Sequence, residues 1–69
     1  MKEVMVKELK KGDFYTLKDY GDEPDESKVY IRDEYDRSEK KYLALKFTDY
    51  LGTGVYHKGD RKVFTDFIF

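Results

Sequence analysis

Chemistry in a short chain needs a nucleophile, a base or a set of ligands held close together, and this sequence offers few of them. His57 is the only histidine, set beside Lys58 just before a turn, and there is no cysteine. Zinc takes several nitrogen or sulfur ligands at once, so a lone imidazole without a thiolate predicts no zinc site. The expected role of His57 is that of a surface or half-buried strand residue. Carboxylates are plentiful: Asp22, Glu23, Asp25 and Glu26 flank Pro24. They lack the alternating oxygen ligands and the turn glycine of a calcium loop, which leaves weak association with a divalent ion. A pair of carboxylates working as acid and base needs one of them desolvated, and 69 residues offer little depth for that. "GTG" at 52–54 has no Lys-Ser/Thr continuation to hold phosphate, and "KGD" is a turn. The sequence therefore predicts no catalytic residue, no cofactor, no metal and a protein that is not an enzyme.

Binding chemistry is better represented. Arg32, Arg37, Lys41, Lys46, Arg61 and Lys62 can supply positive charge, and Tyr30, Tyr56 and Phe64 can supply ring faces if their strands turn them outward. These nine residues are the candidate binding surface. Seven tyrosines and five phenylalanines make up 17% of the chain. Twelve rings exceed what one small core hides, and exposed aromatic patches mark interfaces. Charge is unevenly spread. Residues 1–18 carry five bases against three acids, residues 19–27 carry five acids and no base, and residues 28–69 carry nine bases against seven acids. The formal charge of −1 thus hides an acidic loop, "DYGDEPDES", on a body that is positive overall.

The elements that must position these side chains read as strands. In "KVYIRDEY", Val29 and Ile31 fall on one face, expected inward, with Tyr30 and Arg32 on the other. "KKYLALKF" sets Leu43, Leu45 and Phe47 against Tyr42, Ala44 and Lys46; both faces carry apolar residues, and a bulge near Lys46 would switch them. "KVFTDFIF" at 62–69 is the strongest strand signal, "GDFYTL" a fourth and "EVMV" a fifth, although residues 2–10 also suit a helical turn. "KKGD" and "HKGD" place a glycine ahead of a strand, where positive φ lets the chain reverse; "LGTG" and "YGDEPDES" mark two more breaks. "YDRSEKK" reads as a hairpin connection, with Asp36 or Ser38 bonding its own backbone and Tyr35 facing Tyr42 across the strands. Five short strands in one domain over residues 1–69, with the acidic loop at 19–27, predict an all-β fold. It is expected to be a small five-stranded SH3-like barrel, a strongly bent antiparallel meander, with an OB-type barrel as second choice.

The order "ELKKGDFYTL", "VYIRDEYDRSEKKY", "VFTDFIF" resembles a family of short uncharacterised proteins encoded by anaerobic gut bacteria and their phages or mobile elements. The likeness runs from about Val6 to Phe69 and weakens in "GDEPDES" and around "DYLGTG". It implies a small β-barrel and no particular chemistry.

Two roles follow as expectations. The first is a protein-interaction or assembly module, taking an unknown partner or a second copy at an open sheet edge or aromatic groove. The second is a nucleic-acid-associated module using the basic and aromatic side chains; a sequence pI of about 5.8 weighs against it. The longest apolar runs are two or three residues, so no membrane span is expected, and a cysteine-free chain suits the cytoplasm.

Overall fold

The computed structural model describes residues 1–49, 51–52 and 54–67. These form an all-β chain with six strands: β1 (Lys2–Met5), β2 (Phe14–Thr16), β3 (Val29–Asp36), β4 (Lys41–Lys46), β5 (Val55–His57) and β6 (Lys62–Thr65). All pairings are antiparallel, in the order β1-β6-β2-β3-β4-β5. Six strands replace the five expected. The addition is β5, three residues between glycine breaks and too short to show an alternation. The meander holds from β2 to β5; β6 then returns and inserts between β1 and β2. The sheet is not closed into a barrel, since β1 and β5 remain its two edges.

It is nevertheless strongly curled, and connectivity requires this. β5 and β6 lie four places apart in the sheet, about 19 Å if it were flat. Both run antiparallel to a neighbour such that they point the same way, so a flat sheet would also put His57 and Lys62 at opposite ends. Five residue steps reach at most about 18 Å, and a turn closed by the Arg61 N–H donating to the Lys58 carbonyl at 3.1 Å shortens that further. Only a sheet bent on itself connects the two. The residues after β1 help to hold the bend: they form a 3-10 turn, Val6–Glu8, whose Val6 and Lys7 N–H groups donate to the Arg61 and Gly59 carbonyls, each at 3.0 Å. The strand and helical-turn readings of residues 2–10 are thus both realised, one after the other.

The concave face holds the core. Val6, Leu9, Tyr15, Ala44 and Val63 form its buried cluster, with Val4, Leu17, Tyr30 and Tyr42 packed against it. This corrects the facing of β3. Register pairs Tyr15 with Tyr30 and Arg32 with Ala44, which turns Tyr30 and Arg32 to the inside. Ile31 pairs with Phe14 and Leu45 on the convex face and is only half-buried. A small curled sheet encloses its interior with few side chains, and rings fill that volume more completely than aliphatic groups do. Val29, on the same side as Ile31, is buried together with its partner Thr16.

The bulge lies in β3, not near Lys46: Arg32 pairs with Ala44 and Tyr35 with Tyr42, three residues against two. An odd step flips a side chain to the other face, and the extra residue cancels the flip. Tyr35 therefore meets Tyr42 as expected, ring centroids 4.9 Å apart. β6 stops at Thr65, where Asp66 takes φ 62; of the expected run 62–69, Ile68 and Phe69 lie outside the described residues, as does Thr53 of "LGTG". Gly12, at φ 96, makes the reversal that "KKGD" predicts.

β5 lies close on β4 because Gly54 has no side chain. A Cβ there would sit 2.7 Å from Leu43 Cδ1 and 2.9 Å from the Ala44 carbonyl oxygen, a backbone atom that cannot swing aside. Gly54→Ala is expected to cost about 1–3 kcal/mol, read as a lower urea midpoint with an unchanged slope.

Candidate functional site

The site grows from a hydrogen bond that crosses the curl. Tyr15, wholly buried on β2, places its hydroxyl 2.7 Å from Nδ1 of His57 on β5, three strands away. Tyr30 completes the group: its ring stacks on Tyr15 at 5.9 Å and meets His57 edge-on at 5.1 Å. His57 is 7% exposed, so the surface or half-buried position expected for it is corrected to a buried one. Burial, aided by the Arg61 charge, holds its imidazole down to about 4, and it is neutral at physiological pH. Burial likewise raises the Tyr15 hydroxyl well above the tyrosine range; the Tyr30 charge adds to the rise, and Arg61 and Arg32 oppose it. The hydroxyl thus keeps its proton, and the direction of its bond to Nδ1 follows the imidazole tautomer. A phenol made less acidic and shut away from solvent is a poor base or nucleophile, so the pair acts as a structural clasp between the two halves of the sheet.

Around His57 the surface opens into a cleft of about 380 Å3 lined by Lys41, Tyr56, His57, Lys58, Asp60 and Arg61. β4 delivers Lys41 at its first residue, β5 delivers Tyr56 and His57, and the following turn delivers the rest. That turn passes close to the molecule because Gly59 is bare: a Cβ would stand 3.0 Å from the Tyr42 ring and 3.3 Å from Lys7 Cβ. Its glycine serves close approach, not the positive φ that "HKGD" predicts. Among the described residues the ion pairs are Met1–Asp22, Lys11–Asp33 and Lys11–Glu34, so Lys41, Lys58 and Arg61 have no carboxylate bound to them. A second cleft, about 400 Å3, is lined by Lys2, Leu9, Asp13, Phe14, Thr65, Asp66 and Phe67. It mixes one base with two acids and gathers no charge of one sign.

Of the nine candidate residues, Lys41, Tyr56 and Arg61 come together in the cationic cleft. Tyr30 lies in the core behind it. Arg32 lies half-buried with its guanidinium 4.2 Å from the centre of the Tyr42 ring, and its Nε has no hydrogen-bond partner among the described residues. Stacking on the ring offers some compensation. Arg37 is exposed in the β3–β4 connection, Lys46 is exposed at the far end of β4, Lys62 is exposed at the start of β6 beside Met5, and Phe64 is half-buried against Thr16. The nine are therefore not one surface. Sequence reasoning missed His57, Lys58 and Asp60 as lining residues. No sequence signal marks them: β5 is too short to show an alternation, and the pairing of His57 with Tyr42 exists only in the folded sheet.

The "YDRSEKK" connection is a turn, and Asp36 organises it. Its Oδ1 accepts from the Ser38 N–H at 2.8 Å and the Glu39 N–H at 3.2 Å, and its Oδ2 accepts from the Tyr56 hydroxyl at 3.1 Å. These bonds, led by the one from Glu39, hold the Asp36 carboxyl below the usual range. Asp36→Ala is expected to speed amide hydrogen exchange at Ser38 and Glu39 and to release the Tyr56 ring at the edge of the cleft, while the core amides of β2 and β6 stay protected.

The fold and cleft together define a small all-β chain with a cationic, ring-lined opening beside a buried Tyr-His clasp. The chain matches no family model, no curated protein and no solved structure.

Proposed function

We propose that this chain is a small non-catalytic binding module of the cytoplasm, built as a partly open SH3-like barrel, which takes an acidic segment of a protein partner at the cleft around His57. The observation that carries this reading is the set Lys41, Lys58 and Arg61, without an ion pair among the described residues, around one opening with the Tyr56 ring at its side. Unpaired bases at a preformed concave surface favour a ligand carrying spaced carboxylates. A protein suits the cleft better than a nucleic acid does. Asp60 lines it, Asp36 bonds Tyr56 at its edge, and the whole chain is formally −1, so a continuous phosphate backbone would meet repulsion along with attraction.

The nucleic-acid reading keeps one supporting observation, the grouping of Tyr35, Tyr42 and Arg32, with the two rings tilted together at 4.9 Å and the guanidinium 4.2 Å from the Tyr42 ring. A titration followed by amide shifts separates the two. Oligoglutamate at about 0.05 M salt is expected to move Lys41, Tyr56, His57, Lys58 and Arg61 and little else. Tighter binding of oligothymidylate, weakened by Arg37→Ala and Lys62→Ala, would replace the protein reading with the nucleic-acid one.

A further inference from the structure

We propose that the acidic segment taken by the cleft is the loop at 19–27 of a second copy of this chain, so that the protein assembles head to tail. The inference rests on the cleft being a site for acidic protein segments and names the partner. The loop is suited to the part in charge and in order. It carries five acids and no base. Pro24 is buried while Asp22, Glu23, Asp25 and Glu26 on either side of it are exposed, so the proline pins the segment and leaves the carboxylates standing outward. Local bonds hold its shape: Asp19 Oδ1 accepts from the Gly21 N–H at 3.0 Å, and Asp25 Oδ1 accepts from the Ser27 N–H at 3.2 Å, ahead of a 3-10 turn at Glu26–Lys28. An ordered loop loses little conformational freedom on docking.

The loop's charge is left almost uncompensated at home. Among the described residues only the Met1 amino group pairs with it, 3.4 Å from Asp22. Among the described residues the loop makes no ion pair with the cleft of its own chain. The loop joins β3 at Val29, whereas the Lys41 side of the cleft lies at the other end of the β3–β4 hairpin. Seven residue steps along β3 separate those ends, about 23 Å. One molecule therefore displays an unsatisfied acidic loop and an unsatisfied basic cleft at separate places, and a neighbouring copy satisfies both. Such a contact joins two different surfaces, so it propagates into rings or chains and does not close as a symmetric pair. It is small and charge-led, hence weak and sensitive to salt.

The test uses the full chain in sedimentation experiments. At about 1 mM protein the average mass is expected to rise with concentration at about 0.02 M salt and to return to that of a monomer at about 0.5 M. Lys58→Glu with Arg61→Glu, both exposed positions, should give a monomer at low salt, and so should Asp22→Lys with Glu23→Lys. Mixing the two variants should restore one contact and give a heterodimer, because the cleft variant keeps the native loop and the loop variant keeps the native cleft. A wild-type chain that stays monomeric at low salt, assembly that survives the Lys58→Glu, Arg61→Glu change, or a mixture that stays monomeric overturns the proposal. Titration with the free peptide "DYGDEPDES" tells which level has failed. Shifts at His57, Lys58 and Arg61 without self-assembly leave the cleft an acidic-segment site and remove the second copy as its partner. No shifts and no assembly remove both.

Discussion

Tyr15→Ala is expected to leave the chain unfolded at room temperature. Among the described residues Tyr15 is the largest wholly buried side chain, and it joins both halves of the curled sheet through Tyr30 on one side and His57 on the other. Cutting a buried ring back to a methyl group costs about 3–5 kcal/mol, and a domain of this length has a total stability of only about 3–10 kcal/mol. No disulfide supplements the packing. Tyr15→Phe keeps the ring and removes the hydroxyl, so Nδ1 of His57 loses its buried partner; the expected loss is about 1–2 kcal/mol. Ile31→Ala is the informative comparison. If Ile31 faced the core its truncation would match Tyr15→Ala, but on the half-buried convex face it should cost about 1–2 kcal/mol. Urea unfolding followed by circular dichroism ranks the three. A Tyr15→Ala protein within about 1 kcal/mol of wild type would mean that the clasp does not hold the curl.

What could be read in advance divides along physical lines. Alternation is a local property, and it located β1, β2, β3, β4 and β6; it also placed Tyr35 opposite Tyr42, because hairpin register follows from the turn between the strands. That Asp36 or Ser38 would organise the turn was legible for the same reason, and the structure selects Asp36, whose bonds run to residues two and three positions ahead. Facing was not legible. Alternation says which residues share a side and is silent on which side is concave, and β3 carries apolar groups on both. The curl decides that question, and the curl depends on β6 returning to pair with β1 and β2, a contact across most of the chain. The cleft was hidden for a related reason. His57 looked like an isolated polar residue because its partner, Tyr15, lies 42 positions earlier. Lys41 and Arg61 were recognised as bases, yet only the bend sets them around one opening and leaves Lys46 and Lys62 elsewhere. Nothing in the composition distinguishes a base that gathers with others from one that does not.

Mild acid is expected to loosen the fold before most carboxylates titrate, and His57 is the cause. Its imidazole is held at about 4 in the folded chain against an ordinary 6.5, first by burial and then by the Arg61 charge. The unfolded chain therefore binds the proton more readily, and stability must fall as pH drops between those values. The contribution is complete above about 6.5, shrinks through the window and is gone below about 4; between about pH 7 and pH 5 it amounts to about 2 kcal/mol. Protonation would also put a charge beside the buried Tyr15 hydroxyl and leave Nδ1 able only to donate to it. The Asp36 and Glu34 carboxyls are held below their usual ranges as well, Asp36 by the turn amides and Tyr56, Glu34 by Lys11. Their contributions disappear only at lower pH, as those groups protonate, so the upper window belongs to the histidine. His57→Gln offers Tyr15 an amide oxygen and cannot titrate there; its stability should stay flat between about pH 7 and pH 5 while wild type declines. Because the chain has a single histidine, its ring proton signals report the folded-state titration without ambiguity. A ring that titrates near 6.5, or a His57→Gln protein that declines as wild type does, would place His57 in contact with solvent and undo the clasp.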